Sequence, residues 1–139
     1  WRDDIYASIS GMSRTTGREE IVKAGCECIA YQINDVIDAM RKDSKIDISQ
    51  MCVDGGPTRN KYLMQFQSDI SQTEVKIPDA EELSVIGAGY LAGESAGYYD
   101  PDDIYKAITY NFFETKMQEQ ERSEKVHGWN EAVEMLLKK

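Results

Sequence analysis

Histidine, cysteine and proline are scarce in this chain, at one, three and three residues among 139. The lone His127 stands among polar neighbours, where an imidazole is read as a surface or interface group rather than a general base. Cys26, Cys28 and Cys52 are odd in number and contain no CxxC pair, which argues against a disulfide framework and against a cysteine zinc site. Cys26 and Cys28 lie two apart on a predicted helix, so their side chains diverge, and the three thiols are expected reduced and in the core. Positive charge is also short: 16 basic residues face 25 acidic ones, a formal charge of -9 that repels a phosphate backbone. No apolar run approaches the roughly 20 residues that cross a bilayer, and nothing resembles a signal peptide. The expectation is a soluble, cytoplasmic protein with neither nucleic acid nor membrane as partner.

What is present is enough for one ordinary domain, since 139 residues with 41% hydrophobic content can bury a core. The chain opens at Trp1 without an initiator methionine and runs almost at once into a strand-like pattern, so it is read as part of something longer.

In "DDIYASISG", Ile5, Ala7 and Ile9 alternate with polar residues, which predicts a strand with one buried face, ended by Gly11. Thr16 and Glu19 have the spacing of a capping box. The long helix that follows carries an apolar stripe through Val22, Ile29, Ile33, Val36 and Met40, expected to face the core. Ile46, Ile48, Met51, Cys52 and Val53 predict a second strand, apolar enough to be buried on both faces. Asp54, Gly55 and Gly56 stop it, and Pro57 suits a first helical position ahead of Leu63, Phe66 and Ile70. "TEVKIP" predicts a third strand, and a helix follows with Leu83, Ile86, Tyr90 and Leu91 available for packing. Asp100 and Pro101 open a short predicted helix, "PDDIYKAI", and a charged helix from 119 to 137 presents Trp129, Val133 and Leu136 or Leu137. The charges of "QEQERSEK" read as a solvated face. Alternation of strands and helices points to an α/β fold with parallel pairings and right-handed crossovers.

Two glycine clusters invite a ligand reading. "GAGYLAG" departs from a dinucleotide fingerprint, because its third glycine is one residue late and no strand leads into it. Small residues there are better explained by close approach to a sheet or helix. "VDGGPTRN" has the stronger context, because an apolar strand ends, two glycines turn the chain and a helix begins. Ligands in open α/β sheets collect beyond the carboxyl ends of strands, and a helix start offers unpaired N–H groups and partial positive charge. From spacing alone, a phosphate or nucleotide cradle and a merely geometric turn both stand. Asp54 could position a magnesium ion through water or simply cap the turn, and Arg59 and Lys61 could neutralise phosphate or simply be exposed.

The ordered series "ECIAYQINDVIDAM", "VDGGPTRNKYLMQFQSDI", "VKIP", "ELSVIGAGYLAG" and "GWNEAV" resembles the carboxy-terminal domain of the FGGY carbohydrate kinases, over nearly the whole chain. "LMQFQSDI" is similar to the glycerol kinase branch rather than the pentulose kinases. The resemblance implies a partial actin-like, ribonuclease H-like ATPase domain of α/β class with additional C-terminal helices. It implies one domain over 1–139, taken from a longer two-domain kinase. It further implies phosphoryl transfer from ATP-Mg to a polyol hydroxyl, with glycerol or a related polyol as substrate and a homo-oligomeric full-length enzyme. The family's second turn glycine and the asparagine four residues on contact the nucleotide, which match Gly56 and Asn60, with Asp54 and Gly55 as neighbours. The catalytic residues and a complete active site belong to other segments of such a kinase. Pro57, Thr58 and Arg59 replace the small residues usual in typical glycerol kinases, which leaves another sugar or polyol open. A binding module of the same fold without catalysis also stays open.

Overall fold

The computed structural model describes residues 4–80, 83–98, 100 and 108–138. In chain order the elements are helix α1 (Arg18–Ser44), strand β1 (Gln50–Cys52), a 3-10 turn (Gly56–Arg59), helix α2 (Lys61–Ser71), strand β2 (Glu74–Pro78), helix α3 (Leu83–Ser95), strand β3 (Tyr110–Phe113) and helix α4 (Glu119–Leu137). The expected helix over "PDDIYKAI" lies outside the described residues, apart from Asp100 and Ile108 at its margins.

The sheet has the order β1-β2-β3. β1 and β2 are parallel, with Met51 opposite Val75, and α2 is their crossover. β3 runs antiparallel to β2, with Phe113 opposite Val75 and Tyr110 opposite Pro78. The expectation of parallel pairing therefore holds for the first pair and fails for the second. The reason is β3 itself, a short "YNFF" segment without a period-two apolar pattern, half-buried only at its ends.

The N-terminal segment predicted as a strand forms none. Ala7 and Ile9 are exposed, and among the described residues no strand offers residues 5–9 a hydrogen-bonding ladder. Among the described residues β1 is an edge with a single covered face: Met51 and Val53 pack toward the core, while Cys52 and Ile46 are exposed. Burial on both faces, and a core position for all three thiols, were expected and are not found. Cys26 and Cys28 are half-buried, Cys52 is not, and none of them is in a disulfide.

α1 begins one residue later than the capping-box spacing suggested. Gly17 is the N-cap, and the Glu20 carboxylate accepts its N–H at 2.8 Å. Hydrogen bonds from the backbone N–H of Glu20 and of Gly17 hold that carboxyl below the usual range. Thr16 instead accepts the Ser13 N–H at 2.8 Å. The larger difference is the face that α1 buries. Ala30, Asn34 and Ile37 turn inward, whereas Val22, Ile29, Ile33, Val36 and Met40 remain between 38% and 59% exposed. Helical period correctly found an apolar stripe, but among the described residues α1 packs chiefly on α2, and the α1–α2 contact runs along the neighbouring face.

α2 is the hub of the fold. Leu63, Phe66 and Ile70 are buried as expected, and so are Met64, Gln67, Ser68, Asp69 and Ser71. The polar residues of this run hold the C-terminal arm. Asp69 Oδ1 accepts the backbone N–H of Lys116 at 2.7 Å and of Met117 at 3.1 Å. Ser68 Oγ donates to the Phe113 carbonyl at 2.8 Å, and Arg122 Nε donates to the Ile70 carbonyl at 2.9 Å. On the other side, Arg41 from α1 donates to the carbonyls of Ser71 at 2.9 Å and Ile48 at 2.8 Å, and to the Thr73 hydroxyl at 2.8 Å. α4 returns across α1, where Trp129 stacks on Tyr31 with centroids 5.1 Å apart and donates from Nε1 to Asp35 at 2.9 Å. The helix bounds and the half-buried Trp129, Val133 and Leu136 follow the sequence expectation, and His127 is exposed beside Glu131.

The close approach inferred from the small residues of α3 is absent at Gly87 and Gly89, while Gly93 is the buried residue of this helix. A Cβ added at Gly87 or Gly89 meets nothing within 4 Å, and Leu91, one of the expected packing residues, is 67% exposed.

Removing the Asp69 carboxylate would strand two backbone N–H groups in a part-buried position. Asp69→Ala is expected to cost about 2–4 kcal/mol of unfolding free energy. Asp69→Asn, which keeps an acceptor oxygen, should cost about 1 kcal/mol. Urea denaturation of the two variants measures the difference.

Candidate functional site

The stretch from Cys52 to Lys61 crosses the carboxyl end of β1, where its backbone amide at Val53 still bonds to the Lys76 carbonyl of β2 at 3.0 Å. Gly55 then takes φ 95° and ψ 175°. That region is open essentially to glycine alone, because a Cβ there collides with the backbone. The Gly55 carbonyl accepts from the Thr58 N–H at 3.1 Å and from the Thr58 hydroxyl at 2.7 Å, closing the 3-10 turn. Pro57 thus opens a 3-10 turn rather than α2, and Asn60 supplies the cap of α2.

The two glycines differ in what requires them. Gly55 is fixed by its dihedrals. Gly56 is not among the glycines with positive φ, and a Cβ built on it meets nothing within 4 Å. Neither backbone strain nor packing among the described residues explains a glycine at 56, whereas unobstructed access to its peptide does fit a ligand that approaches the backbone.

Asp54, Gly55, Gly56, Thr58 and Arg59 line one hollow of about 450 Å³, closed on the other side by Pro78 and Asp79 at the end of β2. Asn60 lies on the opposite side of the turn. It lines a wider groove of about 680 Å³ between the starts of α1 and α2, with Arg18, Glu19, Val22, Lys23, Cys26 and Tyr62. The four residues singled out from sequence therefore fall together on one turn, but Gly56 and Asn60 face different hollows. A ligand touching both must lie across the turn, whose four residues rise roughly 8 Å at about 2 Å each, within the span of a nucleotide. The groove residues on α1 went unrecognised. Their signal was the spacing of 19, 22, 23 and 26, one helical face near the helix start, which only acquires meaning once α1 and α2 are known to be neighbours.

Asn60 is tied into the fold through Oδ1, which accepts the Leu63 N–H at 3.2 Å. Beside it, the Tyr62 hydroxyl donates to the Glu27 carboxylate, which also lies 3.6 Å from Lys23 Nζ. Burial, followed by that hydrogen bond and the Glu27 charge, pushes the Tyr62 hydroxyl above its ordinary value of 10.0. Tyr31 is pushed up to about 12, chiefly by burial. Among the described residues no group of three or more His, Cys, Asp or Glu is arranged to hold a metal ion. None of the described helices is long and apolar enough to cross a membrane.

The sequence model of the FGGY family of carbohydrate kinases, C-terminal domain, matches residues 1–96. A glycerol kinase of Natranaerobius thermophilus is 45% identical over 137 residues, which cover 96% of this chain and 28% of that protein. A glycerol kinase of Shewanella halifaxensis is 41% identical over 135 residues, covering 96% of the chain and 27% of that protein. The crystal structure of Plasmodium falciparum glycerol kinase with ADP is similar with a TM-score of 0.87 at 38% identity, over 99% of this chain and 28% of that one. The chain thus spans 27–28% of the length of these relatives.

The contrast between the glycines is testable in stability alone. Gly55→Ala should cost about 1–3 kcal/mol, because alanine must adopt a glycine-only conformation. Gly56→Ala should change stability by no more than about 1 kcal/mol. Chemical denaturation of both variants gives the comparison. Alkaline stability follows from the tyrosines. A folded state that keeps Tyr62 and Tyr31 neutral above their unfolded value binds more protons than the unfolded chain, so stability falls as pH rises through about 10 and toward 12. Denaturation midpoints measured between pH 9 and about 12 should drop, and Tyr62→Phe should flatten part of that drop.

Proposed function

The chain belongs to the FGGY family of carbohydrate kinases, and we propose that it forms the nucleotide-binding wall of an ATP-dependent glycerol kinase. The observation that carries the reading is the turn from Asp54 to Asn60. It has an unobstructed Gly56 peptide on one side and a groove at Asn60 on the other, in a chain 38% identical to a kinase solved with ADP. ATP would lie across this turn, with backbone approach at Gly56, the Asn60 amide as a side-chain contact, and Asp54 and Gly55 as neighbours. Val22, Cys26 and the Tyr62 ring give the Asn60 groove the apolar walls that suit a base.

The reaction is transfer of the ATP γ-phosphoryl group to a primary hydroxyl of glycerol, giving glycerol 3-phosphate. Magnesium bound with the nucleotide would supply positive charge that offsets the charge developing on the transferred group. Asp54 and Asp79 share the smaller hollow, but two carboxylates fall short of a dedicated ligand set. This chain's contribution is to bind and orient the nucleotide. The group that takes the hydroxyl proton, the polyol contacts and the second wall of the cleft come from the rest of the kinase, which closes over the reactants and excludes water. Residues 1–139 act as one domain of this enzyme, inactive by itself. The full-length kinase is a cytoplasmic homo-oligomer.

Pro57, Thr58 and Arg59 favour a second reading, in which the same phosphoryl transfer serves another polyol or sugar, such as a pentulose. They stiffen and enlarge the turn where small residues are usual in the glycerol branch. A coupled assay of ADP release on the full-length kinase separates the two. Turnover with glycerol and none with a pentulose is expected, and the reverse result rejects the substrate. In the same enzyme Gly56→Val should weaken ADP about tenfold or more by crowding the backbone approach. An unchanged Kd in a folded variant removes Gly56 from the site.

A further inference from the structure

Tyr62 stands in the first turn of α2 with 46% of its surface exposed, a position where a side chain ordinarily keeps its rotamer freedom. Here the ring is held at two points. Its hydroxyl donates to the Glu27 carboxylate on α1, 35 residues away in sequence. Its plane lies within 12° of the buried Phe66 ring one helical turn on, with centroids 6.1 Å apart. The Glu27 side chain is only 15% exposed, and Lys23 Nζ lies 3.6 Å from it on the preceding turn of α1. A carboxylate so far out of water needs partners, and a hydroxyl that donates to an ionised acceptor is held more firmly than one that donates to a neutral group. The Tyr62 ring lines the groove with Val22 and Cys26, whereas Glu27 is not part of its lining.

We propose that Glu27 is a positioning residue, which holds the Tyr62 ring as a fixed wall of the groove and so raises affinity for the base of the nucleotide without touching it. This rests on the nucleotide reading above. A flat, immobile aromatic surface suits a planar heterocycle, and a ring that is already ordered loses no further freedom when a base packs on it. Released from Glu27, Tyr62 would have to be ordered by the ligand itself. The effect belongs to the base end of the nucleotide, because the phosphates carry no surface that packs on a ring.

Three variants of the full-length kinase test this. Glu27→Ala removes the acceptor, Tyr62→Phe keeps the ring and removes the donor, and Glu27→Gln keeps an acceptor oxygen without the charge. Calorimetry should show ADP weakened about threefold to tenfold in the first two, the penalty for ordering one side chain on binding. The double variant Glu27→Ala, Tyr62→Phe should be no weaker than either single one, because both remove the same bond. Glu27→Gln should stay within about twofold of the parent. In competition experiments adenosine should lose the same factor as ADP, while tripolyphosphate, which has no base, should bind as in the parent. KM for ATP should rise with the Kd for ADP and kcat should change by less than about twofold, a split that loss of stability alone does not produce. Equal weakening of adenosine and tripolyphosphate would mean general damage to the groove and would overturn the proposal. So would additive losses in the double variant, or Glu27→Gln as weak as Glu27→Ala, which would assign the effect to charge. If the parent binds ADP and Glu27→Ala matches it, only the role of Glu27 falls. If the parent binds no nucleotide, the nucleotide reading falls with it.

Discussion

The structure depends on a buried run of polar groups along α2 and its exit, Gln67, Ser68, Asp69, Ser71 and Thr73, which must find partners or make the core untenable. Most find them, the Ser71 hydroxyl within α2 at the Gln67 carbonyl and others in distant parts of the chain, while Gln67 Oε1 has no hydrogen-bond partner among the described residues. Asp69 and Ser68 fix the segment around 113–117, and Arg41 reaches from α1 to Ser71, Thr73 and the approach to β1. Gln67 Nε2 donates to the Ala30 carbonyl at 3.4 Å across the α1–α2 contact. An unmet buried donor or acceptor costs about 1–3 kcal/mol, so these bonds select one arrangement of α1, α2 and the C-terminal arm rather than merely strengthening it.

That constraint also positions the functional turn. α2 is held along its length by Asp69, Ser68 and Arg41, so its N-cap, Asn60, stands at a set place relative to Cys26 on α1. β1 and β2 are paired through Met51 and Val75, so the chain leaves β1 beside Pro78 and Asp79. The turn between these two anchored elements has little freedom. The turn that bridges them passes through a glycine-only region at Gly55, and the peptide of Gly56 is unobstructed.

Legibility of the sequence varied with what each residue answers to. The turn at Asp54 to Asn60, α2 and α4 were readable, because glycine, proline and helical period are local signals. The inward face of α1 was not. Val22, Ile29, Ile33, Val36 and Met40 form the better apolar stripe, yet Ala30, Asn34 and Ile37 face α2. The amount of apolar surface does not say which neighbour a helix has. β3 was missed for a related reason, since its four residues gain strand character from pairing with β2 rather than from their own pattern. "IYASIS" shows the converse, a strand pattern without a strand to pair with among the described residues.

By itself, the sequence determined the α/β class, the two long helices, the glycine turn and, through its ordered blocks, the carbohydrate kinase family. These rest on local backbone preference and on residue order, which need no third dimension. Only the tertiary structure decided that the two glycines have different duties, that Gly56 and Asn60 open on different hollows, and that Asn60 caps α2 while its amide nitrogen meets the Cys26 sulfur of α1. Those properties belong to the space between α1, α2 and the strand ends, and that space exists only once the buried polar groups of α2 have drawn distant segments together.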